Sequence, residues 1–594
     1  MKLKRLAAAC VSAIIALTTF ASCGTSISQN EKITTDEDSS VSATTELSSG
    51  TDSVSDTSSG DSQSTEVSFE NVEVPYVEYS KTYQAESGMI IGDDISIKKD
   101  RASFKGDGYI SGATLENWSL SFDLPESQFY NITVMTAADS ALNSTLYVNG
   151  EAVWIYRTTG DGVFAEKTLS NIWLEEGINE ITIESTENAV DIDYVKIEAS
   201  DDVSSLDMDL SDASLSNDSA SYRAQALYSL LCSDYGNQVL TAQHDTAGTT
   251  AETDAVKELT SKYPAIRVSD IGAYTKYNVK DISKAIDYFE NGGIVAYDWY
   301  WIDPSGDENS TDIEISEVDF DITNAMPEKI EVEVENTDSY ADDLDEEQQS
   351  AGSQAASITQ TEEQLEYSVK EMAMWDSEQI EYMYSSGEIS EECYLILQDI
   401  DTISAKLSKL KEEKVPVIWR PLPVASNGLY WWGTDEEAYI WLWQLMYTRM
   451  TEYHELNNLI WVWSAQNADW YVGDEYCDVI SADIYTDGDR SAQINTLLSL
   501  NNICKTKPIA ISECGNLPAM ESILQENAFW CYTALYSEPY LSDETGLDET
   551  DEDTAASLLT RFVEYYNNNY TLTLEELPDI VAVAKSIKSE AESD

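Results

Sequence analysis

Residues 415–420 read Val415-Pro416-Val417-Ile418-Trp419-Arg420, a short apolar run that ends in a charged side chain. Such a run, bounded by polar residues, is typical of a strand that is buried on both faces. Similar runs recur within residues 220–583, at 293–297, 459–463, 478–482 and 508–512. Helical stretches lie between them, as at 437–455. This alternation predicts a parallel α/β fold, and the length of residues 220–583 fits a (β/α)8 barrel.

Residues 72–200 follow a different pattern, in which short alternating strands are separated by turns. The strand-like runs lie at 131–135, 144–148, 181–184 and 194–197. Asn149-Gly150 is a strong signal for a two-residue hairpin. The spacing predicts an antiparallel β-sandwich of the jelly-roll type. Residues 201–219 are rich in Ser and Asp and predict a linker between the two domains, and residues 584–594 are expected to form a tail.

The N-terminus has the features of an export signal. Basic residues precede an apolar run at 6–20, which is too short to span a membrane comfortably and ends in Phe20-Ala21-Ser22-Cys23-Gly24. That ending resembles a bacterial lipobox. The resemblance implies removal of residues 1–22, lipidation of Cys23 and display on the outer face of the cell membrane; plain secretion is the alternative. Residues 23–71 are mostly Ser, Thr, Asp and Glu, which predicts a disordered tether.

The charge and the residue usage narrow the class of ligand. A formal net charge of −77 argues against a nucleic acid partner, because phosphates need Lys and Arg. The 15 Trp and 35 Tyr favour a sugar ligand, since aromatic rings offer apolar faces to sugar rings. Only two histidines are present, His244 and His454, which weakens any zinc or histidine-base mechanism. The cysteines beyond Cys23 show no metal-ligand spacing, and their pairing cannot be deduced from sequence.

The larger domain resembles glycoside hydrolase family 26, which consists chiefly of endo-β-1,4-mannanases. The matching runs follow the family's order along the domain: Lys262-Tyr263-Pro264-Ala265, Gly292-Gly293-Ile294-Val295 with Trp299 and Trp301, Ile418-Trp419-Arg420-Pro421-Leu422, Tyr430-Trp431-Trp432-Gly433, Asn458-Leu459-Ile460-Trp461-Val462-Trp463, Gly473-Asp474 and Lys507-Pro508-Ile509-Ala510-Ile511-Ser512-Glu513. The resemblance implies a β-mannan ligand. Another β-glycan is a weaker alternative, because the family also includes β-1,3-xylanases and mixed-linkage glucanases.

The resemblance also implies roles for particular residues. Glu513 matches the nucleophile of a retaining glycosidase, and Tyr485 matches a tyrosine that orients it. Arg420 would help to keep Glu513 ionised by charge attraction. Substrate contacts are expected from Arg420 and Tyr485 and from six aromatic residues: Trp299, Tyr300, Trp301, Trp431, Trp432 and Trp463.

The chain departs from the family where the proton donor belongs. The family has His-Glu after the Arg-Pro-Leu run, and that Glu is the acid/base; this chain has Pro423-Val424, and neither residue can donate a proton. The His of a family Trp-His-Trp triplet is Tyr300 here. Loss of a positioned acid/base costs about 10²–10⁴-fold in rate. The barrel therefore either binds its polysaccharide with little or no hydrolysis or uses a displaced acid.

Asp298 is the best candidate for a displaced acid, since it replaces a small residue of the family pattern. A buried or capping role is the alternative for Asp298, and Asp303, in a loop before Pro304, is a weaker candidate. A carboxyl group about 5–6 Å from Glu513 would favour an enzyme, because retaining glycosidases need two carboxyls about 5–5.5 Å apart. Only apolar and aromatic neighbours around Glu513 would favour a binding protein.

The smaller domain resembles carbohydrate-binding module families 35 and 6. The resemblance rests on Tyr83-Gln84-Ala85-Glu86, Gly108-Tyr109-Ile110-Ser111-Gly112, Leu146-Tyr147-Val148-Asn149-Gly150, Glu176-Gly177-Ile178-Asn179-Glu180-Ile181 and Asp191-Ile192-Asp193-Tyr194-Val195. It implies a structural calcium held by Gln84, Glu86 and Asp193, which are oxygen donors of the kind that Ca²⁺ prefers. The alternative is that these residues only cap strand ends. Trp118, Tyr156 and Phe164 are either the sugar platform or part of the core.

An acidic insertion at about 305–363 breaks the alternation of strands and helices. It follows the strand that carries Trp299 and would lie over the active face of the barrel. Long insertions there are lids, binding loops or disordered segments. The low apolar content predicts disorder for much of it, with strands within 313–334.

Overall fold

The structure is a computed structural model that describes residues 74–185, 190–272, 281–307, 310–336, 358–486, 489–536 and 552–592. The chain forms two compact units, and the boundary between them falls between Ser200 and Asp201. The predicted signal segment, the lipidation position Cys23 and the whole of the tether lie outside the described residues. None of the helices in the described ranges is long and apolar enough to cross a membrane.

The first unit contains two antiparallel sheets. Its strands are β1 (Ser80–Gln84), β2 (Met89–Ile90), β3 (Ser96–Lys98), β4 (Tyr109–Ser111), β5 (Trp118–Leu124), β6 (Gln128–Ala137), β7 (Leu142–Val148), β8 (Glu151–Thr158), β9 (Ala165–Leu174), β10 (Gly177–Ser185) and β11 (Asp191–Ala199). One sheet has the order β3-β4-β11-β6-β9, with β1 also paired to β11, and the other has the order β2-β5-β10-β7-β8. The antiparallel strands are confirmed, and the jelly-roll type stays a prediction.

The interior of this unit explains why these strands alternate. Ile132 and Val134 of β6 belong to the same buried cluster as Leu120 and Phe122 of β5, so the two sheets share one core. Every second side chain on a strand points to the same face, which is why the apolar residues recur with period two. The predicted hairpin at Asn149 joins β7 to β8.

The three aromatic residues considered as a sugar platform lie inside this unit. Trp118, Tyr156 and Phe164 are 1%, 4% and 6% exposed, and the indole N–H of Trp118 donates to the carbonyl oxygen of Ala85 at 3.0 Å. Rings with so little exposed surface cannot stack on a sugar. Their role is in the core.

The second unit is a closed barrel. Its strands are β12 (Val239–His244), β13 (Ile266–Asp270), β14 (Ile294–Trp299), β15 (Lys329–Asn336), β16 (Ile358–Leu365), β17 (Val417–Pro421), β18 (Leu459–Trp463), β19 (Val479–Ile484), β20 (Ile509–Cys514), β21 (Tyr532–Leu535) and β22 (Thr571–Leu572). Eight of them pair in parallel in the cyclic order β12-β13-β14-β17-β18-β19-β20-β21. The predicted (β/α)8 barrel is confirmed, and β22 pairs with the start of β12.

Helices alternate with the barrel strands, and the first of them precedes β12. They are α1 (Tyr222–Asp234), α2 (Ala251–Thr260), α3 (Ile282–Glu290), α4 (Val369–Ala373), α5 (Ser377–Ser386), α6 (Glu391–Glu412), α7 (Glu436–Thr448), α8 (Ile494–Ile503), α9 (Met520–Glu526), α10 (Glu552–Tyr566) and α11 (Ile580–Ala591). Polar caps fix where the longer helices begin: Ser390 accepts from the N–H of Cys393 at 3.0 Å, and Asp435 accepts from the N–H of Ala438 at 2.9 Å. Each cap satisfies a backbone donor that the helix leaves unpaired.

The insertion contains a two-stranded antiparallel hairpin. Strands β15 and β16 pair along their whole length, from Lys329 opposite Leu365 to Asn336 opposite Ile358. The structure therefore contains a strand within the stretch where strands were predicted, although it begins only at Lys329. Much of the segment predicted to be disordered, residues 337–357, lies outside the described residues.

Both ends of the barrel unit extend beyond the predicted boundaries. In the stretch predicted as a linker, Leu210 and Leu215 are buried, and the N–H of Ser216 donates to Oδ1 of Asp478 at 2.6 Å. Residues 201–219 therefore pack on the barrel, where their few apolar side chains are buried. Helix α11 continues through the stretch predicted as a tail and packs against α1.

Candidate active site

Glu513 lies near the end of β20 and is 5% exposed. One of its carboxylate oxygens, Oε1, accepts a hydrogen bond from the hydroxyl of Tyr485. The other, Oε2, accepts from the hydroxyl of Tyr300 at 2.8 Å and from Nη2 of Arg420 at 2.6 Å. The structure therefore brings together the residues predicted as the nucleophile, its orienting tyrosine and its arginine. In barrels of this kind, chemistry takes place at this end of the strands.

Arg420 connects three carboxyl groups. Its Nε lies 2.8 Å from Oδ1 of Asp298, its Nη1 lies 2.7 Å from Oδ1 of Asp483, and its Nη2 contacts Glu513. Burial on its own would raise the pKa of Glu513. The attraction of Arg420, together with the two tyrosine hydroxyls, outweighs burial and holds the pKa of Glu513 below its ordinary value. Glu513 is therefore ionised at neutral pH, as a nucleophile must be.

Asp298, the candidate displaced acid, lies beside Glu513. One oxygen of each carboxyl group lies within 4.8 Å of the other, which is close to the separation that a retaining pair needs. Asp298 is only 3% exposed, and its two oxygens face Nε of Arg420 and Nδ1 of His244. Burial raises the pKa of Asp298 to about 7 against the attraction of Arg420.

Asp303, the weaker candidate, has a local structural role. Its Oδ1 accepts from the N–H of Ser305 at 2.8 Å and from the hydroxyl of Ser305 at 2.7 Å. A carboxylate that closes a turn in this way is a common feature of loops. The hydrogen bonds explain this Asp without a catalytic role.

Val424, which was predicted to occupy the family's acid/base position, follows β17 in an unusual backbone conformation. Its φ is 54°, in the left-handed region, which a β-branched residue rarely adopts. Its N–H donates to the carbonyl oxygen of Ser464 at 3.3 Å, and the carbonyl of the preceding Pro423 accepts from the indole of Trp432 at 3.0 Å. The backbone of this segment is therefore held on both sides, while its side chains offer no ionisable group.

Most of the aromatic residues predicted as substrate contacts are buried. The exposed fraction is 2% or less for each of Trp299, Trp301, Trp431, Trp432 and Trp463. A ring without exposed surface cannot stack on a sugar, so the prediction that these five side chains contact the substrate does not fit the structure. They pack in the interior next to the site: for example, Trp299 stacks on Trp301 at a centroid distance of 4.0 Å. Tyr300 and Tyr485 keep partial exposure.

Sequence reasoning missed four side chains around the site. His244 ends β12 with 7% exposure, Asp270 ends β13, Asp483 lies on β19, and Tyr536 directly follows β21. The ring of Tyr536 is 51% exposed and meets the ring of His244 edge to face at 5.3 Å, so it forms an accessible aromatic surface beside the site. The signal that could have found them is their common position at the carboxyl end of barrel strands.

Three side chains in the described part of the barrel lie close enough together to be considered as ligands of one metal ion. Ligand atoms of His244, Asp298 and Glu513 lie within 4.8 Å of one another. Arg420 already pairs with both carboxyl groups, and its charge disfavours a second cation at the same place. We therefore assign this group to hydrogen bonding.

The residues predicted to hold calcium in the first unit also come together. Oε1 of Gln84 and Oε2 of Glu86 are buried without a hydrogen-bond partner. A Cβ atom at Gly106 would lie 2.5 Å from the Gln84 oxygen and 2.6 Å from Oε1 of Glu86, so a larger residue there would displace these two oxygens. Both oxygens of the fully buried Asp193 accept from the N–H of Lys105 at 3.0 Å. Burial raises the pKa of Asp193, and the nearby Glu86 raises it further. Buried oxygen donors that lack a positive partner fit a hard cation such as Ca²⁺.

Known proteins with a similar sequence are glycosidases. A mannan endo-1,4-beta-mannosidase of Thermothelomyces thermophilus is 27% identical over 84% of this chain and 90% of its own length. Mannan endo-1,4-beta-mannosidase A of Piromyces sp is 25% identical over 84% of this chain and 72% of its own length.

Solved structures share the fold. The Podospora anserina GH26-CBM35 beta-(1,4)-mannanase aligns with a TM-score of 0.52 at 23% identity, over 84% of this chain and 99% of that one. A ruminal GH26 endo-beta-1,4-mannanase aligns with a TM-score of 0.53 at 22% identity, over 85% and 99%. The model of glycosyl hydrolase family 26 matches residues 216–351 and 358–576, which is more than half of the sequence. Together with a buried glutamate at the end of β20, this match shows that the chain belongs to glycosyl hydrolase family 26.

Proposed function

We propose that the barrel binds a β-mannan chain at the carboxyl end of its strands and hydrolyses it little or not at all. The mannan preference is supported by the mannan endo-1,4-beta-mannosidases that match most of this chain. The observation that carries the second part is the side chain of Val424, which has no proton to give at the position where the resemblance places the family's acid/base. A sugar alkoxide is a poor leaving group, so the loss of its proton donor slows cleavage severely.

The other half of the catalytic machinery is retained. Glu513 is ionised and fixed by three donors, as a nucleophile that attacks the anomeric carbon would need to be. In a binding protein the same anion accepts hydrogen bonds from sugar hydroxyls. The exposed ring of Tyr536 supplies an apolar face for a sugar next to it.

An active retaining endo-β-1,4-mannanase with Asp298 as a displaced acid is the second candidate. The separation of Asp298 from Glu513 favours it. Its burial and its two existing contacts count against it, because a general acid must reach the glycosidic oxygen to within hydrogen-bond distance. Action on another β-glycan is a weaker alternative.

For the first unit we propose a carbohydrate-binding module that holds a structural Ca²⁺ through Gln84, Glu86 and Asp193. The alignment with the Podospora anserina GH26-CBM35 enzyme supports this assignment, because it covers more of the chain than the barrel unit contains. The unpartnered buried oxygens of Gln84 and Glu86 support the calcium. We further propose export and attachment to the outer face of the cell membrane through lipidated Cys23, on the strength of the sequence around it.

The test is reducing-end release from galactomannan and glucomannan by the whole chain, with the Glu513→Ala variant as control. We expect release no higher than in the control, while calorimetry detects binding of manno-oligosaccharides. Release that disappears in Glu513→Ala would overturn the binding proposal and establish a displaced acid. Absence of both release and binding would remove mannan as the ligand.

A further inference from the structure

His244 is placed so that its surroundings determine which ring nitrogen carries a proton. Its Nε2 lies 3.1 Å from the carbonyl oxygen of Ser512, and its Nδ1 lies 3.4 Å from Oδ2 of Asp298. A carbonyl oxygen can only accept, so the hydrogen must be on Nε2. If the ring is neutral, Nδ1 then presents a lone pair to Asp298.

An ionised Asp298 would oppose that lone pair with a second acceptor in a buried site. Two buried acceptors facing each other leave both unsatisfied, which is costly. A protonated Asp298 removes the conflict, because its O–H can donate to Nδ1 while Oδ1 stays 2.8 Å from Nε of the Arg420 guanidinium. The other solution, a protonated ring, places an imidazolium beside Arg420 in a buried pocket. Burial, and to a lesser degree Arg420, lower the pKa of His244 to about 4.

The balance of charge around Arg420 leads to the same conclusion. One guanidinium contacts three carboxyl groups, on Asp298, Asp483 and Glu513, so full ionisation would leave a buried excess of negative charge. Glu513 has two tyrosine hydroxyls as additional donors and is therefore the group best able to stay ionised. Asp298 is the group that faces an acceptor and can use a proton. The titratable groups that act on Asp298 and its two partners are Arg420, His244, Asp270, Asp483, Glu513, Tyr300 and Tyr532.

We propose that Asp298 is a neutral carboxylic acid that donates its proton to Nδ1 of His244 and thereby keeps the negative charge of the site on Glu513. Asp298 is thus a positioning residue, and its proton is committed to His244 rather than to a glycosidic oxygen. This deepens the proposed function, since it explains why a carboxyl so near the nucleophile does not replace the missing acid. Its test is independent of hydrolysis, because the readout is the protonation of a ring.

The experiment uses nitrogen-15 NMR of the whole chain labelled at histidine. The sequence has only two histidines, and a His454→Gln variant assigns the remaining signals to His244. At pH 6 we expect a neutral His244 with its proton on Nε2. The Nδ1 signal should shift as the pH rises through about 7, where Asp298 loses its proton.

An Asp298→Asn variant provides the matched comparison, because a neutral amide can donate to Nδ1 and accept from Arg420 as the protonated acid does. It should keep the Nε2–H tautomer and lose the shift near pH 7. Four results would overturn the proposal: a proton on Nδ1 at pH 6, an imidazolium at pH 6, no shift between pH 5 and 9 in the unaltered chain, or an unchanged shift in Asp298→Asn. The titration of the unaltered chain decides the matter even if the variant does not fold.

Discussion

The hydroxyl of Tyr300 donates to Oε2 of Glu513 at 2.8 Å and accepts from Nη2 of Arg420 at 3.2 Å. The resemblance places Tyr300 where the family has a histidine, and Tyr300 was expected to contact substrate. In the structure it belongs to the set of donors that holds the nucleophile. Its partly exposed ring leaves a sugar contact open to it as well.

Replacing Tyr300 by Phe should therefore raise the pKa of Glu513, since the ionised carboxylate loses a hydrogen bond, and a hydrogen bond to a charged group is worth about 1.5–3 kcal/mol. The site stabilises the ionised form of Glu513. The part of the manno-oligosaccharide affinity that depends on this charge is therefore lost as the pH falls through the pKa of Glu513 in the folded protein. In Tyr300→Phe this loss should begin at higher pH. The pH dependence of manno-oligosaccharide affinity by calorimetry measures it. Tyr485→Phe should act in the same direction, and an unchanged acidic limb in both variants would contradict the assignment.

Restoring a carboxyl group at position 424 should restore hydrolysis. Val424→Glu is expected to raise reducing-end release from mannan by at least about 10²-fold, because a positioned general acid contributes about that much. Val424→Gln has nearly the same shape without the acid and should stay at the level of the unaltered chain. An equal gain in Val424→Gln, or no gain in Val424→Glu, would show that the missing proton donor is not what limits the reaction.

The left-handed backbone conformation of Val424 lowers the stability of the fold, whether or not the barrel catalyses a reaction. A non-glycine residue held in a sparsely populated region costs about 1–3 kcal/mol, and Asn tolerates this region far better than Val. Val424→Asn should therefore raise the free energy of unfolding of the barrel by about 1 kcal/mol. Denaturant titration measures the difference. Val424→Ile keeps the β-branch and should show no gain; if it stabilises as much as Asn, strain is not the cause.

Calcium should stabilise the first unit. If Gln84, Glu86 and Asp193 hold the ion, Ca²⁺ at about 100 times its Kd adds about 2.7 kcal/mol to the free energy of unfolding. The stabilisation should weaken in acid, because protons compete for the two carboxylates. Calorimetric unfolding with Ca²⁺ and with a chelator measures the effect. Glu86→Gln and Asp193→Asn should reduce it strongly, and equal stabilisation in the variants would place the ion elsewhere.

The sequence was sufficient to predict the barrel because its strands are buried on both faces. The strands that begin at Val417, Leu459 and Ile509 are buried along their whole length and open with apolar residues, and this pattern does not depend on what surrounds them. Glu513 could be identified because the run that it ends, residues 507–513, resembles the nucleophile segment of the family.

The burial of the tryptophan rings and the protonation of Asp298 could not be predicted from the sequence. Trp431 would have the same sequence whether its ring formed a sugar platform or filled the core, and only the neighbours from other strands decide. The protonation of Asp298 depends on His244, 54 positions earlier in the sequence, and on the carbonyl of Ser512. Long-range contacts of this kind leave no local pattern to read.

The buried Asp478 needs the segment that precedes the barrel. Its Oδ2 accepts from the N–H of Trp461 at 2.7 Å within the barrel, while Oδ1 depends on the N–H of Ser216. A fragment that began at residue 220 would leave a buried oxygen without its donor, a loss of about 1–3 kcal/mol. A barrel transplanted onto another protein should therefore begin at Asp201. It then includes residues 201–219, which have the composition of a linker but supply a hydrogen-bond donor that the barrel needs.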